Sequence, residues 1–485
     1  METANSWVLV SFIVYTAGIV LIGLYSSRVK KQTTDDFVLA SRELGPWVSA
    51  LSASASAESG WVMLGLVGEA YLYGMAAFWI IPGIAAGYLF NWFVIAERLR
   101  VETTGSGAVT LPQYIMHRYG RDSKALRFIS VIIIGVAMLA YVAAQMNAAG
   151  KAFEATFHLD YLWGVLVGAA IIITYTFFGG FRAVCWTDVV QAVFMVVALL
   201  GMPVILLSEI GGFGEFMRRA HETAPDLLSF SYNKTGFAMF GFVVGLLGIG
   251  LGYPGQPHVL SRFMAARDDR ATRIGGRIAL VWMLLAYLGA VTFGMFAKIH
   301  FGELADPEQA LPLAIGDHLP SILGGFIIAA IVSAICSTAD SQLIVVSSTL
   351  SRDIWPMLRK RSKQTLEFLE TQFADRMVLL ILGGISILFA AFKSRVIFEF
   401  VLYAWSALGA SFGPVVILGL LWKRANKAGA IAGMLTGVIV TVVWRNIPLL
   451  KGAIYELVPA FVLALLAVVI GSLLSGETKA SSRKA

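Results

Sequence analysis

An acidic residue, Glu58, lies inside an apolar stretch that is long enough to cross a membrane, residues 45–71. An ionisable side chain in a bilayer costs roughly 2.5–3.5 kcal/mol on insertion scales, so such a residue marks a candidate functional site. The same stretch carries small residues that weaken a helix or offer oxygen atoms, namely Ser52, Ser54, Ser56, Ser59 and Gly60. A carboxyl among these oxygens has the chemistry to bind a cation or a proton.

A second apolar stretch is interrupted between Gly248 and Pro257, where ten residues include four glycines and two prolines. Proline removes a backbone donor and clashes with the preceding turn of a helix. Unwound backbone at membrane depth is tolerated only where it is buried in protein or lines a water-filled cavity. Two interrupted segments at corresponding positions of two halves predict a transporter binding site between them. The alternative is that both are ordinary kinked helices.

The elements that hold these residues must be membrane-spanning helices. Of the 485 residues, 58% are hydrophobic and 14% are charged, whereas soluble proteins carry about 25% charged residues. Cys185 and Cys336 lie in or beside apolar segments and predict no disulfide framework. A spanning helix needs about 20 mostly apolar residues. The sequence predicts an all-α polytopic membrane protein with about thirteen spans, near 6–27, 45–71, 75–96, 128–150, 160–178, 185–207, 236–259, 278–299, 320–350, 377–393, 397–421, 428–444 and 456–475.

The distribution of Lys and Arg predicts how these spans are oriented. With the N-terminus outside, the predicted inner segments carry 28 of the 37 Lys and Arg residues. The outer connection at 300–319 has four acidic residues and no Lys or Arg. We therefore expect the N-terminus outside and the C-terminus inside. The net charge of +7 reflects this asymmetry and does not indicate binding of nucleic acid.

We expect one transmembrane domain over residues 1–475, followed by a short cytoplasmic tail at 476–485. Spans two to six (45–207) would form a first five-helix repeat, and spans seven to eleven (236–421) a second one, each beginning with an interrupted helix. An extra N-terminal helix at 6–27 would precede the repeats, and two C-terminal helices at 428–475 would follow them. No fused signalling domain is predicted.

Four motifs resemble those of the sodium:solute symporter family, and of its sodium/proline symporter branch in particular. They are Ser56-Ala-Glu-Ser-Gly-Trp61, Trp186-Thr-Asp-Val-Val-Gln191, Gly250-Leu-Gly-Tyr-Pro-Gly-Gln-Pro-His258 and Ser337-Thr-Ala-Asp-Ser-Gln342. The motifs occur in the family's order, and the resemblance spans essentially the whole chain. It implies a LeuT-type fold, a five-plus-five inverted repeat with an extra N-terminal helix, and alternating access around a site at the middle of the membrane.

The resemblance also implies a sodium site between the first and eighth core helices. Its ligands would be the backbone carbonyls of Ala55, Glu58 and Ala334 and the hydroxyls of Ser337 and Thr338. An all-oxygen ligand set suits sodium, which is a hard cation. The alternative for the two hydroxyls is a hydrogen bond to carbonyls of the preceding helical turn.

The sequence departs from the branch at this site, because the sodium/proline symporters have Asp at the position of Ala57 and Met at the position of Glu58. A shift of one residue turns a side chain by about 100° around a helix, so Glu58 could aim directly into the cation cavity. There it could be a further ligand for sodium, or it could bind and release a proton, since burial disfavours the charged form. A third alternative is a structural carboxylate that caps the helix break. Proton coupling is our leading expectation, with sodium coupling as the alternative.

Two further acids are expected along the ion pathway. The resemblance places Asp188 on the cytoplasmic exit path, and its alternative role is to cap the start of the sixth span. Asp340 lies three residues after Ser337 and shares a helix face with it. Some family members use this face for a second sodium ion. Together with Glu58, these acids suit a proton relay as well as a sodium path.

The substrate site should lie between the two broken helices. The residues that the resemblance implies for it are Ser59, Gly60, Trp61, Tyr141, Gln145, Tyr253 and Pro257. The alternative for each aromatic residue is ordinary helix packing. The proline branch has Trp at the position of Ile249, which implies a differently packed pocket or another substrate. His258 follows the second break, and we expect it near the membrane interface.

These features favour a cation-coupled symporter in the cell membrane that imports a small amino acid, with proline as the best single prediction. A membrane sensor is the alternative from another class, and the lack of an output domain in the sequence disfavours it. A passive channel would not need ion-coupling residues. No enzyme motif or cofactor site is apparent. We expect a small-molecule substrate and lipids as partners, no nucleic acid, and a monomer.

Overall fold

The computed structural model describes residues 2–28, 34–120, 123–318, 320–354, 364–391 and 397–476, and the regular elements within these ranges are helices. The first ten are α1 (Glu2–Arg28), α2 (Thr34–Leu39), α3 (Pro46–Gly60), α4 (Val67–Tyr73), α5 (Ile80–Phe90), α6 (Glu97–Ser106), α7 (Leu111–Tyr119), α8 (Lys124–Phe157), α9 (Tyr161–Ile210) and α10 (Phe213–Thr223). The next ten are α11 (Gly236–Gly248), α12 (Pro257–Met264), α13 (Asp269–Phe301), α14 (Ala310–His318), α15 (Ser321–Thr349), α16 (Gln364–Ala391), α17 (Ile397–Leu421), α18 (Lys427–Asn446), α19 (Pro448–Ala453) and α20 (Leu457–Leu474).

Short tighter or wider turns join several of these helices without a loop. The 3₁₀ turns are Ala40–Arg42, Gly74–Trp79, Pro225–Leu228, Ile249–Gly255 and Pro307–Gln309, and the π-helical turns are Trp61–Leu66, Asn91–Ala96 and Leu350–Ile354. Such turns inside long helices often mark functional sites. Two of them, Trp61–Leu66 and Ile249–Gly255, fall at the interruptions predicted from the sequence.

Ten stretches of the described residues are long and apolar enough to span a membrane. The first of them, Pro46–Ser106, contains two of the predicted spans, and shorter apolar helices at Trp7–Gly23 and Tyr161–Thr174 coincide with two more. The number of thirteen and the orientation stay predictions. The predicted tail, 476–485, lies outside the described residues except for its first residue.

The connection predicted between the fifth and sixth spans is wrong. Residues 179–186 lie within α9, which is interrupted only at Gly180, where φ is 62° and ψ is −174°. Glycine adopts a positive φ without the steric clash that a Cβ would bring. A single residue therefore separates the two apolar segments, and no loop is needed.

The first broken helix begins at Pro46 and loses its helical backbone at Ser59, where φ is 38° and ψ is −173°. Six buried residues, Trp61–Leu66, then form a π-helical turn that leads into α4. The alternation of Ala and Ser before the break gives a narrow helix, and α3 packs closely on α9, α13 and α15. The last carbonyls of α3 lack the usual helical N–H donors, because the helix is broken just beyond them.

The second broken helix follows α11 through the 3₁₀ turn Ile249–Gly255, reaches an extended residue at Gln256 and resumes as α12. Its glycines permit contacts that a side chain would block. A Cβ on Gly250 would lie 1.9 Å from the carbonyl oxygen of Gly83, and one on Gly87 would lie 2.4 Å from the carbonyl oxygen of Gly250. The Gly83-Ile-Ala-Ala-Gly87 segment of α5 therefore packs directly on unwound backbone.

The two broken helices are also joined at the ends that the sequence predicts to be cytoplasmic. Leu44, just before α3, donates its N–H to the carbonyl of Ala265, and Arg267 donates its N–H to the carbonyl of Leu44. Because Ala265 directly follows α12, this bridge links the start of one broken helix to the end of the other. The pair is thus held together by backbone at one end and meets again at the two breaks.

Candidate functional site

The oxygens of the candidate cation site meet where the end of α3 faces the middle of α15. Ser337 Oγ donates to the carbonyls of Ala55, at 2.9 Å, and Ala334, at 3.2 Å. Thr338 Oγ1 donates to the carbonyl of Ser56 at 2.9 Å and lies 3.4 Å from that of Ala55. Both hydroxyls thus bond across to α3, and only Ser337 also bonds back to its own helix. The predicted ligands Ala55, Ala334, Ser337 and Thr338 lie together, with Ser56 as an additional carbonyl.

The carboxylate of Glu58 lies in a cluster of three tyrosines and not among these hydroxyls. Oε1 accepts hydrogen bonds from Tyr88 Oη at 2.6 Å and Tyr253 Oη at 2.9 Å, and Oε2 accepts one from Tyr287 Oη. The backbone carbonyl of Glu58 accepts the N–H of Trp61. The expectation that this side chain aims into the cavity between α3 and α15 is therefore wrong. The rotation of about 100° per residue turns it toward α5 and α13 instead.

Glu58 and its three tyrosines come from four different helical elements. They lie on α3, on α5, in the 3₁₀ turn after α11 and on α13, and all four side chains are buried. A carboxylate can accept several hydrogen bonds at once, and it is bonded here by three hydroxyl donors. The described residues provide no ion pair to Glu58. Hydroxyls thus satisfy a buried acid without a cationic side chain.

Asp188 forms a fully buried ion pair with Arg262, at 3.1 Å between Oδ2 and Nη2. Its Oδ2 also accepts hydrogen bonds from Ser52 Oγ at 2.6 Å and Ser56 Oγ at 3.3 Å. Asp188 lies eight residues beyond the break at Gly180, inside the second part of α9. The alternative that it caps a helix start is therefore wrong, and the pair connects α9 to α12 and to α3.

One hydroxyl joins this ion pair to the candidate cation site. Ser341 Oγ lies 2.9 Å from Ser56 Oγ, 3.1 Å from Asp340 Oδ1 and 2.7 Å from the carbonyl of Ser337, and it accepts a hydrogen bond from Arg262. Asp340 is itself fully buried. The two predicted pathway acids, Asp188 and Asp340, are thus linked through Arg262 and Ser341. A change of hydrogen bonding at the ion pair can therefore affect the candidate cation site through few intervening residues.

The residues predicted to bind substrate surround the break in α3. Gly60 donates its N–H to Gln145 Oε1 at 3.1 Å, and Trp61 donates its N–H to Ser59 Oγ at 3.1 Å. Tyr141 lies one turn before Gln145 on α8, and its hydroxyl has no hydrogen-bond partner among the described residues. All five of these residues are buried. The structure brings them together in a closed central region.

Two predicted substrate residues, Tyr253 and Pro257, belong to the second broken helix, and they lie in different surroundings. The hydroxyl of Tyr253 bonds to Glu58, and its ring packs edge-on against Trp405, 4.8 Å between centroids. Trp405 Nε1 donates to the carbonyl of Ile249 at 3.0 Å, so an indole from α17 covers the position where the proline branch has Trp. Pro257 lines a small cavity between α12 and α15 together with Ser261, Ile344 and Ser348.

Sequence reasoning missed several residues of this region. Arg262 follows the predicted end of the seventh span at residue 259, so the sequence places it with the inner basic residues and does not predict its burial. Tyr88 and Tyr287 carry no signal in the sequence, because single tyrosines in apolar helices usually pack in the core. The expectation that His258 is interfacial is wrong, since the side chain is fully buried and its ring faces Tyr141. His258 is the second residue of α12.

Residues 37–437 match a family model described as the sodium:solute symporter family. The chain belongs to the sodium:solute symporter family. It is 36% identical to the sodium/proline symporter of Escherichia coli (strain K12), covering 98% of this chain and 95% of that protein. It is 37% identical to the high-affinity proline transporter PutP of Bacillus subtilis (strain 168), covering 94% and 95%.

A solved structure shares the fold. The substrate-bound, outward-open structure of a Na⁺-coupled sialic acid symporter matches with a TM-score of 0.81 at 18% identity, covering 98% of this chain and 99% of that one. The protein is thus an all-helical LeuT-fold transporter, a multi-pass protein of the cell membrane and not an enzyme. The Escherichia coli relative and the solved structure are both named for sodium, so the expectation of proton coupling through Glu58 is not supported. The position of its carboxylate, away from Ser337 and Thr338, agrees with this correction.

Proposed function

We propose that the protein is a sodium-coupled symporter of proline. Four of the five ligands that the family resemblance implies for sodium lie within hydrogen-bonding distance of one another across α3 and α15. This arrangement is the observation that carries the proposal. Relatives that match nearly the full chain are named sodium/proline symporters. Carbonyls at the end of a half-helix are favourable for a cation, because the negative end of the helix dipole lies there.

The proposed mechanism couples the two sites through the end of α3. The carbonyls of Ala55 and Ser56 would hold sodium, and the unwound segment Ser59–Trp61, three residues further on, would hold the amino acid. For sodium to enter, Ser337 and Thr338 turn their hydroxyl hydrogens away from these carbonyls and direct oxygen lone pairs at the ion. Sodium thereby replaces hydrogen bonds between α3 and α15 and changes how the break is held. The substrate then binds to a segment whose position the ion has fixed.

Uptake by the purified protein in proteoliposomes tests this proposal. An inward sodium gradient should drive accumulation of radiolabelled proline, and an inward proton gradient without sodium should not. A thermal-shift screen of amino acids checks the substrate, because Ile249 and Trp405 change one wall of the pocket. Accumulation driven by protons alone, or no response to proline, would refute the assignment.

Substitution at the site separates the ion from the substrate. Ser337→Ala removes one proposed sodium ligand and should raise the sodium concentration for half-maximal uptake by about tenfold, while the maximal rate at saturating sodium changes less. Ser347→Ala is the matched control, because Ser347 is also buried on α15 but donates only to the carbonyl of Ile344. Equal sodium dependence in the two variants would show that Ser337 does not bind the ion.

A further inference from the structure

Three polar side chains near the break in α3 are fully buried and leave hydrogen-bonding atoms without a partner. Tyr141 Oη, Gln145 Nε2 and both ring nitrogens of His258 have no hydrogen-bond partner within 3.5 Å among the described residues. Buried polar groups in proteins are nearly always hydrogen-bonded, so each exception calls for an explanation. Three exceptions in one place indicate a shared ligand.

The three side chains are held in one neighbourhood by bonds that leave these atoms unused. Gln145 is fixed through Oε1, which accepts the N–H of Gly60, and its amide nitrogen is left over. Tyr141 lies one turn earlier on the same helix. The ring of His258 lies edge-on to that of Tyr141, with 6.1 Å between centroids and an angle of 86° between planes. Two elements, α8 and α12, therefore direct polar groups at the region beside the first break.

The backbone of His258 is tied to the buried ion pair. Its carbonyl accepts hydrogen bonds from Arg262 Nη1 at 2.8 Å and from Ser261 Oγ at 2.7 Å. Arg262 in turn pairs with Asp188. The position of the imidazole is thus set by the first turn of α12 and by a charge network on its far side, while the ring itself is left for another partner.

The chemistry of the three groups selects the kind of ligand. A tyrosine hydroxyl, an amide NH₂ and one nitrogen of a neutral imidazole are all hydrogen-bond donors. A carboxylate is acceptor-only and can take several such bonds at once. Hydrogen bonds to an ionised acceptor are about twice as strong as neutral ones. A substrate without a carboxylate would offer the three donors fewer and weaker acceptors.

We propose that His258 is a specificity-determining residue that contacts the carboxylate of the transported amino acid, together with the hydroxyl of Tyr141 and the amide of Gln145. The inference rests on the proposed function and deepens it, because it assigns a residue outside the predicted substrate set. It explains how the site selects an amino acid over the corresponding amine or amide. The carboxylate supplies the acceptor that all three groups lack within the protein.

The test compares proline with prolinamide, in which an amide replaces the carboxylate, in proteoliposomes of the full-length protein. His258→Leu removes the donor and should raise the KM for proline by about tenfold to a hundredfold, with a smaller change in the maximal rate. The inhibition constant of prolinamide should change little, so the preference for proline over prolinamide falls. His258→Gln retains an N–H donor and should recover most of the preference.

A second pair of variants keeps the test decisive if His258→Leu does not fold. Tyr141→Phe should reduce the same preference, whereas Tyr114→Phe should not, because Tyr114 is also buried with an unpartnered hydroxyl but lies on α7. Folded variants at both Tyr141 and His258 that keep the wild-type preference would overturn the inference. That outcome differs from failure of the proposed function, in which sodium does not drive proline uptake by the wild-type protein.

Discussion

Glu58 shows how a single buried carboxylate is held by neutral donors. Three tyrosine hydroxyls bond to its two oxygens, so each tyrosine depends on Glu58 for its partner as much as Glu58 depends on them. A hydroxyl that loses its partner in a buried site costs about 1–3 kcal/mol. Truncation of the Glu58 side chain is therefore predicted to lower the stability of the protein more than neutralisation of its charge.

Glu58→Gln should give a folded protein that retains sodium-driven uptake, because its carbonyl oxygen can serve Tyr88 and Tyr253 and its NH₂ can donate to Tyr287. Glu58→Ala leaves three hydroxyls unpaired and should lower the stability by about 3 kcal/mol or more. Melting temperature in detergent and uptake in proteoliposomes measure the two effects. A folded Glu58→Gln variant without sodium-driven uptake would mean that the carboxylate has a direct role in coupling.

The importance of Glu58 could be predicted from the sequence, but its environment could not. The bilayer argument needs only the residue and its apolar neighbours, whereas the direction of the side chain depends on where the helix unwinds. The break occurs at Ser59, directly after Glu58, and the three partners come from helices up to 229 residues away in the chain. No local pattern distinguishes Tyr88 or Tyr287 from a packing residue.

At the scale of elements, the local composition predicts both helix breaks. It does not predict which other elements contact the unwound backbone. Glycine and proline in the stretch 248–257 predict unwinding because they remove side chains and donors. The partner of that unwound backbone is α5, whose Gly83 and Gly87 allow it to approach closely. Membrane helices use small residues in this way to bring backbones together. Here the contact is between a helix and an irregular segment, which a helix-packing motif alone does not specify.

Gly250→Ala should disrupt this contact, since the added Cβ would lie 1.9 Å from the carbonyl oxygen of Gly83 and both atoms belong to rigid backbone regions. Overpacking of this kind costs at least about 1–3 kcal/mol. Gly201→Ala on α9 is the control, because no heavy atom lies within 4 Å of its added Cβ.

The control should be neutral or slightly stabilising, as alanine favours a helix by roughly 0.5–1 kcal/mol over glycine. Melting temperatures and yields of monodisperse protein for the two variants provide the comparison. Equal stability of the two would show that α5 can move away from the second break at little cost.

For the molecule as a whole, the sequence predicts both the apolar helices and their orientation in the membrane, and the orientation is still untested. Hydropathy predicted long apolar helices, and ten stretches of the described residues have the length and composition to span a bilayer. It misplaced the boundary inside α9, where Gly180 replaces a loop, because the polar signal of a loop is missing there. The orientation is predicted from the Lys and Arg residues in the connections between spans. The packing of the helices against one another does not reveal which side of the membrane each connection faces.

Labelling of introduced cysteines can determine the orientation. The two native cysteines, Cys185 and Cys336, need not be removed because both are buried. A membrane-impermeant thiol reagent should label Glu303→Cys in intact cells, since Glu303 is 90% exposed in the connection predicted to be outside. Lys423→Cys, exposed in the turn between α17 and α18, should be labelled only in inside-out vesicles. The reverse pattern would invert the predicted topology.

The tyrosine cluster around Glu58 also limits the order in which mutations can accumulate in this lineage. Exchanging Ala57-Glu58 for the Asp-Met pair of the sodium/proline branch would leave three buried hydroxyls unpaired, at about 1–3 kcal/mol each. A protein with a total stability of about 5–15 kcal/mol has little capacity for such a step. Phenylalanine must first replace the tyrosines. The acid is thus retained by its neighbours on three other elements, whatever selective advantage first introduced it.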